Sequence, residues 1–139
     1  MQIVTDAIDI STQGHTDIID ITQAVQQLVV QHKLQEGQVT IFISGSTAGV
    51  TTIEFEPGLL KDLPEAFEKF APTGIRYHHD DTWGDGNGYA HVRAAILGPS
   101  LTIPFKNGRL LLGTWQQIVV VDFDNRPRRR SVVVQMLGE

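Results

Sequence analysis

Asn107-Gly108 stands between two apolar runs, Leu101 to Phe105 and Leu110 to Leu112. Both central residues tolerate positive φ, which a two-residue hairpin turn requires, so this segment predicts an antiparallel hairpin. The pairing commits the second half of the chain to strands. Thr114 to Phe123 reads as a long strand, and its unbroken apolar stretch Ile118 to Val121 marks it as central in its sheet. Ser131 to Leu137 supplies the last strand. Upstream, Ile3 to Ile10 reads as a first strand, and Gln38 to Ser44 alternates Val39, Ile41 and Ile43. Val50 to Glu56 follows the small-residue turn Gly45 to Gly49; Glu54 and Glu56 then share one face, with Ile53 and Phe55 on the other.

Helical signals are fewer. Thr22 can cap a helix to about Leu34, with Val25, Leu28, Val29 and His32 at helical spacing and Gly37 ending it. Leu59 to Phe70 is a short helical region with Pro64 expected near its start. Tyr89 to Leu97 reads as helix or as strand. The expectation is an α+β fold, a β-rich sandwich with two or so short helices, in one domain over residues 1–139. Nothing suggests repeated βαβ units.

Composition narrows the chemistry. The 139 residues carry a formal net charge of -5, against a nucleic-acid partner, and no cysteine, which excludes disulfides, thiolate nucleophiles and thiolate zinc sites. No apolar run reaches the roughly 18 residues needed to span a bilayer, and the first residues lack a signal-peptide pattern, so a cytoplasmic location is expected.

Residues 77–93 hold three of the five histidines, three aspartates and three glycines. Histidine and carboxylate bind divalent metals and move protons near neutral pH. His79 and His91 come from separate elements flanking the glycine loop. In an extended segment His78 and His79 point to opposite faces, so at most one of them faces a shared site. Asp80, Asp81 and Asp85 are candidate ligands or partners of a ligand histidine; alternatively, Asp85-Gly86-Asn87-Gly88 is a plain turn with solvated aspartates. An EF-hand loop counted from Asp81 fails, with Trp83 at position three. Gly45 to Gly49 superficially resembles a nucleophile elbow, but β-branched residues follow where a helix is required. Ser46 and Thr47 remain candidate ligand contacts. In the run Arg126 to Arg130, Arg128 and Arg130 share a strand face opposite Arg129, and the paired guanidinium groups suit a phosphate or carboxylate; a solvated strand end or an intersubunit ion pair is the alternative. His15 and His32 read as structural, Trp115 as core, and Gln116 as either core or ligand contact.

The ordered series Ser46-Thr47-Ala48, Glu54, Tyr77-His78-His79, Asp85-Gly86-Asn87-Gly88, Ala90-His91, Leu97 to Thr102, Leu112 to Gln116 and Arg126 to Arg130 resembles the YjbQ-like, or secondary thiamine-phosphate synthase, family. The resemblance implies an α+β sandwich assembled as a homotrimer, with histidines and a divalent metal, preferably zinc. By position it implies His79 and His91 as metal ligands, with Glu54 and Asp85 in catalytic roles. Contacts to a small phosphorylated molecule fall to Ser46, Thr47, Gln116, Arg128 and Arg130. The activity implied is a metal-assisted transferase joining a hydroxymethylpyrimidine diphosphate to a thiazole phosphate, with the physiological reaction open. A non-enzymatic metal or small-anion binder, or a metal-dependent hydrolase, is the alternative. One departure is Gly45, where many members place a histidine. His78, Glu54 or Asp81 would then complete the ligands, or the site would hold no metal.

Overall fold

The computed structural model describes residues 1–139. In chain order the elements are β1 (Gln2–Thr12), β2 (Asp17–Asp20), α1 (Thr22–Gln31), β3 (Glu36–Ile43), β4 (Ala48–Ile53), α2 (Leu59–Phe70), α3 (His78–Trp83), α4 (Gly88–Leu97), β5 (Ser100–Lys106), β6 (Arg109–Leu110), β7 (Gln117–Asp122) and β8 (Arg128–Gly138). They form a five-stranded sheet, β1-β8-β3-β5-β6, and a three-stranded sheet, β2-β7-β4, with every pairing antiparallel. The α+β expectation holds, with four helices rather than two or so. No helix is long and apolar enough to cross a membrane.

Alternation along the strands builds the sandwich. Val39, Ile41, Ile43, Ile103, Phe105, Val132, Val134 and Met136 line the inner face of the larger sheet. They meet Ala48, Val50, Ile118 and Val120 of the smaller sheet, with Val25 and Val29 of α1 in the same cluster. The other face of β7 sends Val119 and Val121, with Phe123 beyond the strand end, against Phe67 of α2 and Tyr89, Ala90 and Ala94 of α4. Phe67 and Phe123 meet edge-to-face at 4.7 Å. Thus β7 is covered on both faces, which is what its unbroken apolar run requires. The Asn107-Gly108 hairpin is also present, with φ of 54° and 71° at the two residues.

Several local expectations are corrected. Thr22 is the first residue of α1, not its cap; the Asp20 carboxylate accepts from both its N–H (2.9 Å) and its hydroxyl (2.6 Å). Helix α1 stops at Gln31, and Lys33 turns the chain through φ 56°, so Gly37 lies within β3 instead of ending the helix. Pro64 sits at the sixth position of α2, the helix continuing without the N–H that proline lacks. Strand β4 ends at Ile53. Glu54 to Glu56 leave it because the Glu56 carboxylate turns to accept from Gly58 N–H and Leu59 N–H at the start of α2. Strand β7 begins only at Gln117. Gly113 to Gln116 close a turn instead, which leaves Trp115 71% exposed rather than in the core.

Candidate functional site

The stretch 77–93 folds as two helices, α3 and α4, joined through residues 84–87. This corrects the extended reading of His78 and His79, which sit on one helical turn. A helix rotates successive side chains by about 100°, so His79 is half-buried while His78 is exposed. Gly88 permits the close crossing of the two helices: a Cβ there would stand 2.4 Å from that of Tyr77. The Gly88 N–H donates to Asp80 Oδ1 at 2.9 Å, capping α4 with a residue from α3.

That crossing assembles the candidate ligands. The rings of His79 and His91 lie 4.0 Å apart, tilted by 40°. Ligand atoms of His79, Asp80 and Asp85 all lie within 4.8 Å of one another. His79 Nε2 approaches Asp85 Oδ1 to 3.3 Å but without hydrogen-bond alignment, so it is a buried polar atom with no partner. Such an orphan is costly unless something else satisfies it. Burial, then the neighbouring His79, pushes the His91 imidazole below its usual range and favours the neutral form that can ligate a metal.

The opposite wall comes from the end of β7 and the start of β8. Asp122 and Asp124 are fully buried. Asp122 accepts from Arg130 Nε (2.8 Å) and Nη2 (3.0 Å), and from the Thr12 hydroxyl (2.6 Å). Asp124 accepts from Arg128 Nε at 2.9 Å, from the Thr47 hydroxyl at 3.0 Å and from Asn87 Nδ2 at 3.3 Å. Two carboxylates and two guanidinium groups balance in charge. The left-handed segment Gly14 to Thr16 donates the N–H groups of His15 and Thr16 to the carbonyls of Asp124 and Asp122, at 2.7 and 2.8 Å.

Burial alone would raise the Asp124 pKa. The N–H of Asn125, with Arg128, Asn87 and Thr47, instead holds it at about 2, from an ordinary 3.8. Asp122 is likewise held low: burial opposes this, but Arg130 leads the groups that outweigh it. Carboxylates with depressed folded-state pKa values contribute stability that is complete above the unfolded value and lost as pH falls through the folded one. Denaturant midpoints are therefore expected to fall between about pH 4 and about pH 2. Asp124→Asn should flatten that part of the profile.

Between these walls lies a cleft of about 400 Å³, lined by His79, Asp85, His91, Arg128 and Arg130 together with Gly45, Ser46, Thr47, Trp83 and Asn87. Seven of the sequence-derived site residues thus converge: Ser46, Thr47, His79, Asp85, His91, Arg128 and Arg130. Arg128 and Arg130 share a face, as expected. The Thr47 hydroxyl is consumed, accepting from Arg130 Nη2 at 2.8 Å while donating to Asp124. Glu54 and Gln116 are not brought in. Ala48 pairs with Asp122 and Ile53 with Gln117, so the length of β4, about 20 Å, separates these two from the cleft. Gln116 instead donates to the Thr52 hydroxyl at 2.9 Å. Sequence reasoning missed Asn87, Asp122 and Asp124. Asn87 leaves its Oδ1 buried and unpartnered in the cleft wall. The available signal was two aspartates closing an apolar strand, just ahead of an arginine run.

A family model for UPF0047 YjbQ-like proteins matches residues 6–139. A UPF0047 protein of Archaeoglobus fulgidus is 39% identical over 128 residues, covering 92% of this chain and 97% of the relative. The UPF0047 protein YugU of Bacillus subtilis is 33% identical over 132 residues, covering 94% and 97%. Among solved structures, a protein of unknown function from Sulfolobus solfataricus superposes with a TM-score of 0.93 at 32% identity, covering 99% of each chain. A hypothetical protein from Aeropyrum pernix gives 0.91 at 32% identity, covering 98% and 99%. These matches overturn the implied thiamine-phosphate synthase activity. They place the chain among proteins described by family number or as of unknown function, so the resemblance brings a fold and no reaction.

Proposed function

Taking as premise that the chain belongs to the UPF0047 YjbQ-like family, we propose that its cleft binds a divalent metal, zinc by preference, and a small anion beside it. The orphaned His79 Nε2, facing a carboxylate and a second imidazole, carries this reading. The donor set fits: two histidines with carboxylates are ligands zinc accepts. His79 and Asp85 would hold the ion, His91 would join them in its neutral form, and Asp80, with one oxygen committed to α4, would orient or complete the set. A bound zinc would act as a Lewis acid toward an oxygen of the ligand.

The arginines supply the anion contact. Each is anchored by a buried carboxylate and reaches the cleft from β8. A pre-organised guanidinium binds phosphate or carboxylate with less entropy loss than a free one. The small phosphorylated molecule expected from the sequence belongs to this class of ligand. A homotrimer goes with the same reading, supported by exposed apolar side chains such as Ile3 and Phe42 on the outer face of the larger sheet. A clean monomer in sedimentation would count against it.

Zinc titration of the metal-free chain against a chelator of known affinity tests the reading. One equivalent is expected to bind at micromolar or lower free zinc, with tighter phosphate binding afterwards. No saturable binding at those concentrations would reject the metal, and phosphate binding unaffected by zinc would reject the adjacency of the two ligands.

A further inference from the structure

The cleft does not end at the arginines. A second hollow of about 340 Å³ continues from it, sharing Gly45, Ser46 and His91. The remainder of its wall is Ala48, Ala94, Ala95 and Pro99, with no charged side chain. Gly45 stands where the two hollows meet. Arg130 uses Nε and Nη2 on Asp122 and Thr47, which leaves Nη1 without a protein partner. A Cβ on residue 45 would lie 2.8 Å from that Nη1, and the glycine holds φ at 128°, a value side chains resist. The glycine thus keeps both the passage and the free donor open.

We infer that the ligand is a small organic anion whose head meets Arg130 Nη1 and whose short apolar remainder lies along Ala48, Ala94, Ala95 and Pro99. The inference rests on the anion reading above and adds the second half of the ligand. Arg130 Nη1, a guanidinium N–H beside Gly45 with no protein acceptor, fixes the head, because such a donor is best met by an anion. Continuity of the hollows fixes where the remainder goes. Burying a short apolar group against these alanine walls is favourable in proportion to its apolar area.

Two ligands with the same head separate the contributions. Methylphosphonate and butylphosphonate are titrated into the full chain by calorimetry. Butylphosphonate is expected to bind roughly tenfold more tightly, the effect of burying about half of three methylene groups. Ala95 is exposed on α4, so Ala95→Gln should fold normally and fill the hollow. That variant should bind both ligands with the affinity of wild type for methylphosphonate. Equal binding of the two ligands by wild type, or a preference that survives Ala95→Gln, would overturn the apolar subsite while leaving the anion site standing. Binding of neither would overturn the anion site, and this inference with it.

Discussion

Asp122→Ala is expected to destabilise the fold by about 3–5 kcal/mol, because it strands a buried guanidinium without its hydrogen-bonded counter-charge. Arg130 is 8% exposed and Asp122 fully buried, and the nearest remaining carboxylate oxygen, on Asp124, stands 3.9 Å from Arg130 Nη2, beyond hydrogen-bond reach. The Thr12 hydroxyl and the Asp124 N–H, just past β7, lose an acceptor in the same step. With a total stability of roughly 5–15 kcal/mol in a typical domain, the midpoint of thermal unfolding should fall by about 10–20 °C. The double variant Asp122→Leu with Arg130→Met distinguishes a stranded charge from a simple cavity. Removing both charges together is often neutral or stabilising, so the double variant should regain much of what the single one loses. If it is no better than Asp122→Ala, packing rather than charge holds this end of β7.

The second large effect falls on metal affinity. His79→Ala and His91→Ala should each weaken zinc binding by more than about 100-fold, beyond the 10–100-fold typical of residues that only support a ligand. Neither should lower the unfolding midpoint much, since both histidines are only half-buried at a cleft rim. Glu54→Gln is the informative control. The resemblance gives Glu54 a catalytic role, whereas the fold leaves it exposed at the far end of β4. Zinc affinity in that variant should equal wild type. A loss comparable to His79→Ala would mean that Glu54 reaches the metal from another copy of the chain.

Strands were readable because their signals are local. The Asn107-Gly108 turn, the alternation of Val39, Ile41 and Ile43, and the apolar run before Asp122 each depend on neighbours a few residues away. His78-His79-Asp80-Asp81 reads as extended because six residues carry no helical period. Its helix is stabilised from outside, by the crossing of α4 over Tyr77. The sequence also ties Glu54 to the small-residue turn, but proximity along an extended strand means distance in space. Asp122 and Asp124 are harder to read: their arginine partners follow four and eight residues on, but their threonine partners lie 77 and 110 residues away and are brought in by the pairing of β4 with β7 and of β1 with β8. The His79 and His91 pair was readable because a short glycine-bearing link returns the chain on itself.

Zinc K-edge X-ray absorption on the zinc-loaded chain tests the metal assignment most directly. The proposed ligand set predicts two imidazole nitrogens at about 2.0–2.1 Å, with the remaining ligands oxygen, and loss of one imidazole contribution in His91→Ala. A spectrum showing oxygen ligands alone, or one unchanged in His79→Ala and His91→Ala, would contradict it.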